Sequence, residues 1–422
     1  MSLMIVGAII FIFFIRMPEI PLALLFNGIF IYFFIVYQSG VEINSVMTGA
    51  FYAFLTLYYL VGALLRWGKL VAIFKLDLLD ILFAGSFLII FMNYFIFSLN
   101  NEYAYQKIMY APLLAIAPYA GLRLLTSTEN FQRFFDYCVY FAVALVFVAI
   151  YELYTNPELA ETTRFSMYKF QTRGESPTAL AMTFAILLII LLVKYWEYRK
   201  LKFADFALSV PSAYLLLRTG SRGAVASLLI AGSVYMLFIS KAKLKTKIYF
   251  IISIIILVCI AYYLIPESTR DFYNYTITPE AMTQGVSSIN ERFSYWHQAE
   301  NDFWESPVMG VGFGNSCDHV GYPHNIVLEV AAEFGVMGLC VFAVMLFLTL
   351  KKGLYFIKNE KEHDLSLFMN LALFLFLYSL TEAMVGGYIT NQTRLYMSMG
   401  LIVSISNSSF RQAPFLRDIK II

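Results

Sequence analysis

Apolar runs long enough to cross a bilayer recur along this chain and constrain its fold more than any other feature. They fall at about 3–15, 20–37, 46–65, 78–99, 108–122, 134–154, 177–193, 203–217, 223–239, 248–265, 326–350, 365–386 and 394–406. A spanning helix needs roughly 20 apolar residues. Lipid offers no partner to an open strand edge, so runs of this kind become helices. Of the 422 residues, 60% are apolar and 14% charged, where a soluble chain carries about 25% charged residues. The expected architecture is an all-α polytopic membrane protein of about 12–13 transmembrane helices. This composition excludes a nucleic-acid binder, a secreted disulfide scaffold and a soluble two-domain enzyme. The cysteines Cys138, Cys259, Cys317 and Cys340 have no CxxC spacing, so neither a disulfide framework nor a thiolate metal site is expected. Residues 3–15 run into Arg16-Met17-Pro18-Glu19 with no small-residue cleavage site, so the first segment should stay in place.

Lysine and arginine in the short loops set the orientation. Lys194, Arg199, Lys200 and Lys202 crowd one loop, Lys241, Lys243, Lys245 and Lys247 a second, and Lys351, Lys352, Lys358 and Lys361 a third. The tail adds Arg411, Arg417 and Lys420. An even number of spans separates each pair of regions, so all four should be cytoplasmic. Arg66, Lys69, Lys75, Arg123 and Arg133 extend the pattern. The long segment 266–323 then faces outward, with Arg270 and Arg292 as its basic residues against eight acids.

Several arginines sit against this bias. Arg218 and Arg222 bracket an outward turn, Arg218-Thr219-Gly220-Ser221-Arg222-Gly223. Arg164, Lys169 and Arg173 lie in another outward loop, and Arg292 and Arg394 complete the set. Snorkelling at helix ends explains some such residues. The alternative is an anion site, because the planar guanidinium fork fits phosphate. Arg222 suits that role best: Gly220 and Gly223 flank it, and a glycine turn opening a helix presents backbone N–H groups.

A second cluster runs from 290 to 338. Phe293, Trp296 and Phe303 are spaced as on a helix lying on the membrane surface. Gly310-x-Gly312-x-Gly314 follows no βαβ pattern, so it reads as tight turns rather than a nucleotide site. His324 and Asn325 follow Pro323 and open a span at its outer end. A neutral histidine there can take a proton; as a structural pair, His-Asn caps the helix. Glu329 and Glu333 lie four apart on one face of that span, and a carboxylate in a span usually meets a cavity or a partner. Glu382 and Arg394 bracket another outward turn and are placed to pair. His297, His319, His324 and Cys317 match no standard metal spacing, so no metal or cofactor is expected.

His324-Asn325, nine residues, then Gly335-x-x-Gly338 resembles the signature of the bacterial O-antigen ligase/polymerase family. Ser221-Arg222-Gly223-Ala224 opening a span resembles its second landmark. Arg292-x-x-x-Trp296 followed by Ser306-Pro307-x-x-Gly310-x-Gly312 resembles the lead-in to its large periplasmic loop, and Arg173-Gly174-x-x-x-Thr178-x-Leu180-Ala181 also fits. The resemblance implies a C-type glycosyltransferase-like membrane fold with one large periplasmic loop, in the bacterial inner membrane. It implies a glycan donor on undecaprenyl diphosphate and a glycan or lipid-linked acceptor, with membrane lipid and a chain-length regulator protein as partners. On this footing Arg222 and Arg292 clamp the diphosphate and His324 serves as base. Arg218, Arg173, Asn325, Glu329, Arg394 and Trp296 line the substrate.

The chain then divides into N-terminal helices at 1–202, a core at 203–350 including the loop 266–323, and C-terminal helices with a cytoplasmic tail at 351–422. The family splits by acceptor. A polymerase extends another lipid-linked repeat unit, and a ligase glycosylates lipid A-core. The acidic outer loop favours the polymerase. A lipid-linked oligosaccharide transporter is the alternative of another class, and its mark would be matched halves with paired broken helices. By the lysine pattern, cysteine labelling at Ser287 and at Lys243 is expected from opposite sides of the membrane. Labelling of both from one side would overturn this topology.

Overall fold

The computed structural model describes residues 17–27, 50–51, 53–57, 61, 76–98, 101–156, 164–165, 177–198, 203–240, 243–275, 287–316, 322–360 and 363–412. It is all-α: 86% helical, with no strand among the described residues. The helices are α1 (Glu19–Asn27), α2 (Leu78–Asn93), α3 (Glu102–Ala111), α4 (Ala117–Arg123), α5 (Thr128–Thr155), α6 (Pro177–Tyr198) and α7 (Phe203–Arg218). There follow α8 (Arg222–Val234), α9 (Leu244–Leu264), α10 (Glu267–Tyr275), α11 (Ser287–Glu305), α12 (Ile326–Asn359), α13 (His363–Ala383) and α14 (Thr393–Gln412). Among the described residues six helices are long and apolar enough to cross a membrane. The protein is therefore polytopic. The runs at 108–122, 203–217, 248–265 and 394–406 are helical as well. The run at 3–15, and much of those at 20–37 and 46–65, lie outside the described residues.

The chain forms two compact units that interleave in sequence. Among the described residues, one takes those within 1–22, 52–134 and 288–422, and the other those within 23–51 and 135–287. In the first unit α13 is the central helix. Leu371 through Phe376 are buried without a break, and α12 and α14 pack on α13 while α4 packs on α14. Helix α2 lies against α12 but exposes Leu78, Ile81, Leu88, Ile89 and Met92. Such a stripe would be a liability in water and suits lipid.

Ion pairs and backbone bonds separate the two ends of this unit. Asp77 caps α2 in a capping box with Asp80 and takes Lys352 Nζ at 2.6 Å. Asp80 is held by Arg123 through Nε at 2.7 Å and Nη2 at 2.9 Å, and by the Tyr119 hydroxyl at 2.8 Å. At the other end, the end of α2 and the cap of α3 meet the glycine loop: Asn93 Oδ1 accepts from Phe313 N, and Asn101 Nδ2 donates to Gly314 O. In the second unit α6 packs on α7 and α8, and α9 on α7.

One backbone irregularity positions the site. Helix α12 is broken at Gly335, whose φ of 61° and ψ of −158° are not helical. Residues 306–314 fill the break. Val311 N bonds Ala332 O and Gly312 N bonds Glu333 O; Val336 N bonds Pro307 O and Met337 N bonds Val308 O. Gly310, Gly312 and Gly314 all have positive φ, as tight turns require. A Cβ on Gly335 would lie 2.4 Å from Val308 O.

Gly335→Ala should therefore lower thermal stability measurably, since this backbone region strains any other residue by about 1–3 kcal/mol before the clash is counted. Gly85→Ala in α2, where an added Cβ meets nothing within 4 Å, should leave the melting temperature unchanged or raise it. Equal melting temperatures for the two variants would show that the loop does not fill the break.

Candidate functional site

The head of α12 gathers most of the singled-out residues of the first unit. Asn325 is the N-cap, its side-chain oxygen accepting from Val327 N at 3.0 Å and Leu328 N at 3.3 Å. Such a cap satisfies amide groups that the first turn otherwise leaves open. His324 precedes it at φ 54°, the one non-glycine residue with positive φ among the described residues. Left-handed backbone disfavours a side chain by roughly 1–2 kcal/mol, and neighbouring rings hold the residue there. The Tyr322 ring centroid lies 4.2 Å from that of His324, and Tyr295 lies at 6.4 Å. Trp296 Nε1 donates to Pro323 O at 2.6 Å, which fixes α11 against the residue before the histidine.

The electrostatics keep this histidine neutral. Burial, and then the Arg292 guanidinium, push His324 down to about 4, against a smaller upward pull from Glu291. The Tyr322 hydroxyl is pushed up to about 12, chiefly by burial. Arg292 lies on α11, half-buried, and its charge bears on His324, Tyr322 and Glu382. Arg394, at the start of α14, also bears on buried Glu382.

Glu329 and Glu333 face inward from the first turns of α12, both buried. Each holds Lys107 of α3, at 2.7 Å and 2.5 Å. Glu329 Oε2 also accepts from Ile389 N at 2.9 Å. The carboxylates thus meet a lysine and a backbone amide. Lys107 went unnoticed in the sequence, although the signal used for the arginines covers it. It lies at the end of an outward-facing stretch before the run 108–122, a cation against the topological bias. Tyr322 and Tyr388, with ring centroids 5.4 Å apart, are further residues that no motif marks.

The remaining arginines belong to the other unit. Arg218 ends α7, fully buried, with Nη1 2.7 Å from Thr269 Oγ1. Gly220 at φ 64° turns the chain, and Arg222 begins α8 after Ser221. Arg173 lies outside the described residues. Along α11, His297 is exposed and 3.8 Å from Glu300. Among the described residues no group of three or more His, Cys, Asp or Glu side chains is placed to hold a metal ion; Cys317 and His319 lie outside them.

Residues 207–343 match the family model described as O-antigen ligase. The matched segment contains the arginine turn, the glycine loop and the His-Asn helix head. Over that segment the chain is similar to the O-antigen ligase family. A Rickettsia typhi protein named as a polysaccharide ligase is 25% identical over 165 residues, which are 35% of this chain and 39% of that protein. The chain therefore matches about two fifths of that relative's length. Lys107, Glu382 and Arg394 lie outside the segment that the family model covers.

A rate that depends on neutral His324 should be level from about pH 8 to about pH 5.5, because a base works wherever it is unprotonated. It should fall only as pH approaches the residue's pKa near 4. A pH–rate profile of the wild-type protein checks this; an acid limb centred at pH 6.5, absent from the His324→Gln variant, would contradict it.

Proposed function

We propose that the chain transfers a glycan from undecaprenyl diphosphate to an acceptor hydroxyl, at the periplasmic face of the bacterial inner membrane. The observation that carries this reading is His324: neutral, half-buried at the head of a spanning helix, and under the charge of Arg292. The acceptor oxygen attacks the anomeric carbon, and the bond from that carbon to the diphosphate breaks. The electron pair leaves with undecaprenyl diphosphate, and the hydroxyl proton passes to His324. Arg292 and Arg222 stabilise the charge that develops on the departing diphosphate. Such a role explains arginine rather than lysine, since only the planar fork binds an anion in bidentate fashion. The reading assigns substrate binding to Arg394, Arg218, Arg173, Trp296 and Asn325 as well. No metal or cofactor enters the scheme.

For the acceptor we favour another lipid-linked repeat unit, which makes the protein a surface-polysaccharide polymerase with a chain-length regulator as its partner. The acidic outer loop supports this, because a heavily phosphorylated lipid A-core would favour a basic one. The second reading, a ligase acting on lipid A-core, is favoured by the description of the matching family and by the name of the Rickettsia typhi relative. Offering each acceptor separately to the protein in lipid, with one labelled donor, distinguishes them. Lengthened lipid-linked product supports the polymerase, and label on lipid A-core supports the ligase.

His324→Ala should lower turnover by about 10²–10⁴-fold, the usual worth of a general base, while donor binding survives. Arg222→Lys and Arg292→Lys should each impair turnover with expression intact. Full activity in both lysine variants would remove the clamp, and normal turnover of His324→Ala would return that residue to a capping role.

A further inference from the structure

We propose that Lys107 is a positioning residue for the transfer site, acting on His324 through Glu329 and the turn before α14; the proposal rests on the transfer reading above. Lys107 is buried to 1% exposure. Its ammonium meets Glu329 at 2.7 Å and Glu333 at 2.5 Å. The rings of Phe313, Tyr103 and Tyr388 surround it, with centroids 4.7, 5.4 and 6.0 Å from Nζ.

Each contact leads to an element of the site. Glu333 sits where the glycine loop enters the break in α12, its carbonyl bonded to Gly312 N. Phe313 of that loop stands over the lysine. Glu329 carries on its second oxygen the amide of Ile389, whose carbonyl in turn accepts the Tyr396 hydroxyl at 2.6 Å. Tyr388, the residue before Ile389, packs edge-on to Tyr322, and Tyr322 packs on the His324 ring. Arg394 follows in the first turn of α14. One ammonium thus joins α3, α12, the glycine loop and the turn before α14, and the last of these supports the histidine.

Stability alone does not call for this arrangement. Replacing a buried ion pair by apolar groups is often neutral or stabilising, and ionisable groups in a membrane segment mark function by default. What the charges supply here is placement. The histidine is in a left-handed conformation and packs on Tyr322, whose neighbour Tyr388 lies beside Lys107.

The decisive variant removes all three charges together, Lys107→Met with Glu329→Gln and Glu333→Gln, so that no carboxylate is left buried without a partner. Expected is a folded, monodisperse protein in lipid. Its kcat should fall about 10–100-fold, the effect of a small misplacement of reacting groups. His324 should also react faster with diethyl pyrocarbonate, read at that residue by mass spectrometry. Wild-type kcat together with wild-type His324 labelling overturns the proposal. Where the triple variant does not fold, Lys107→Arg decides, since kcat and His324 labelling must stay or shift together. Either one changing without the other overturns it. His324→Ala runs in parallel. If that variant turns over normally, the transfer reading itself fails. If it is inactive while the triple variant is fully active, only the role of Lys107 fails.

Discussion

The site depends on the requirement that every backbone polar group inside a membrane segment finds a partner. Gly335 breaks α12 within its apolar stretch, and a break of this kind cannot be left to lipid. The loop at 306–314 supplies the missing partners. It takes the carbonyls of Ala332 and Glu333 and gives its own at Pro307 and Val308. The exchange needs backbone-to-backbone approach, which explains why glycine stands at 310 and 335. A Cβ at either position would meet the facing main chain at under 3 Å. A polar outer segment is thereby fastened to the helix that begins with His324, and α11, with Arg292 and Trp296, is drawn to the same place.

Charge placement builds on that scaffold. Three ionisable groups, Lys107, Glu329 and Glu333, are buried together below the helix head. Near the histidine itself the balance is reversed. Arg292 bears on His324 with burial in support, and both favour a neutral imidazole that can accept a proton. The buried lysine is satisfied by its own carboxylates, whereas Arg292 and Arg394 share the vicinity of one buried acid, Glu382. The helix head therefore combines a neutral histidine with nearby cations, the combination that the proposed transfer would use.

The spans were legible in the sequence because burial in lipid leaves a simple mark, a long apolar run. The His-Asn helix head and the glycine turns were legible because proline, glycine and cap residues declare backbone geometry locally. The break at Gly335 was not. Glu333-Phe334-Gly335-Val336 reads as uninterrupted helix until the loop that fills it is seen. Lys107 was overlooked for a related reason. Its carboxylate partners lie more than two hundred residues away, and a lysine bordering an apolar run looks like an ordinary interfacial residue. The interleaving of the two units also arises from contacts distant in sequence, which no local pattern records. Asn325 shows the opposite case, since the cap that its side chain forms was already contained in the identity and position of the residue.

The most direct test of the central claim is product analysis with the wild-type protein in lipid vesicles, given a donor labelled in both glycan and lipid. The account predicts that free undecaprenyl diphosphate appears in step with glycan joined to acceptor, one for each transfer. Recovery of the donor chemically intact on the opposite side of the bilayer, with no free undecaprenyl diphosphate, would contradict it and identify a transporter instead.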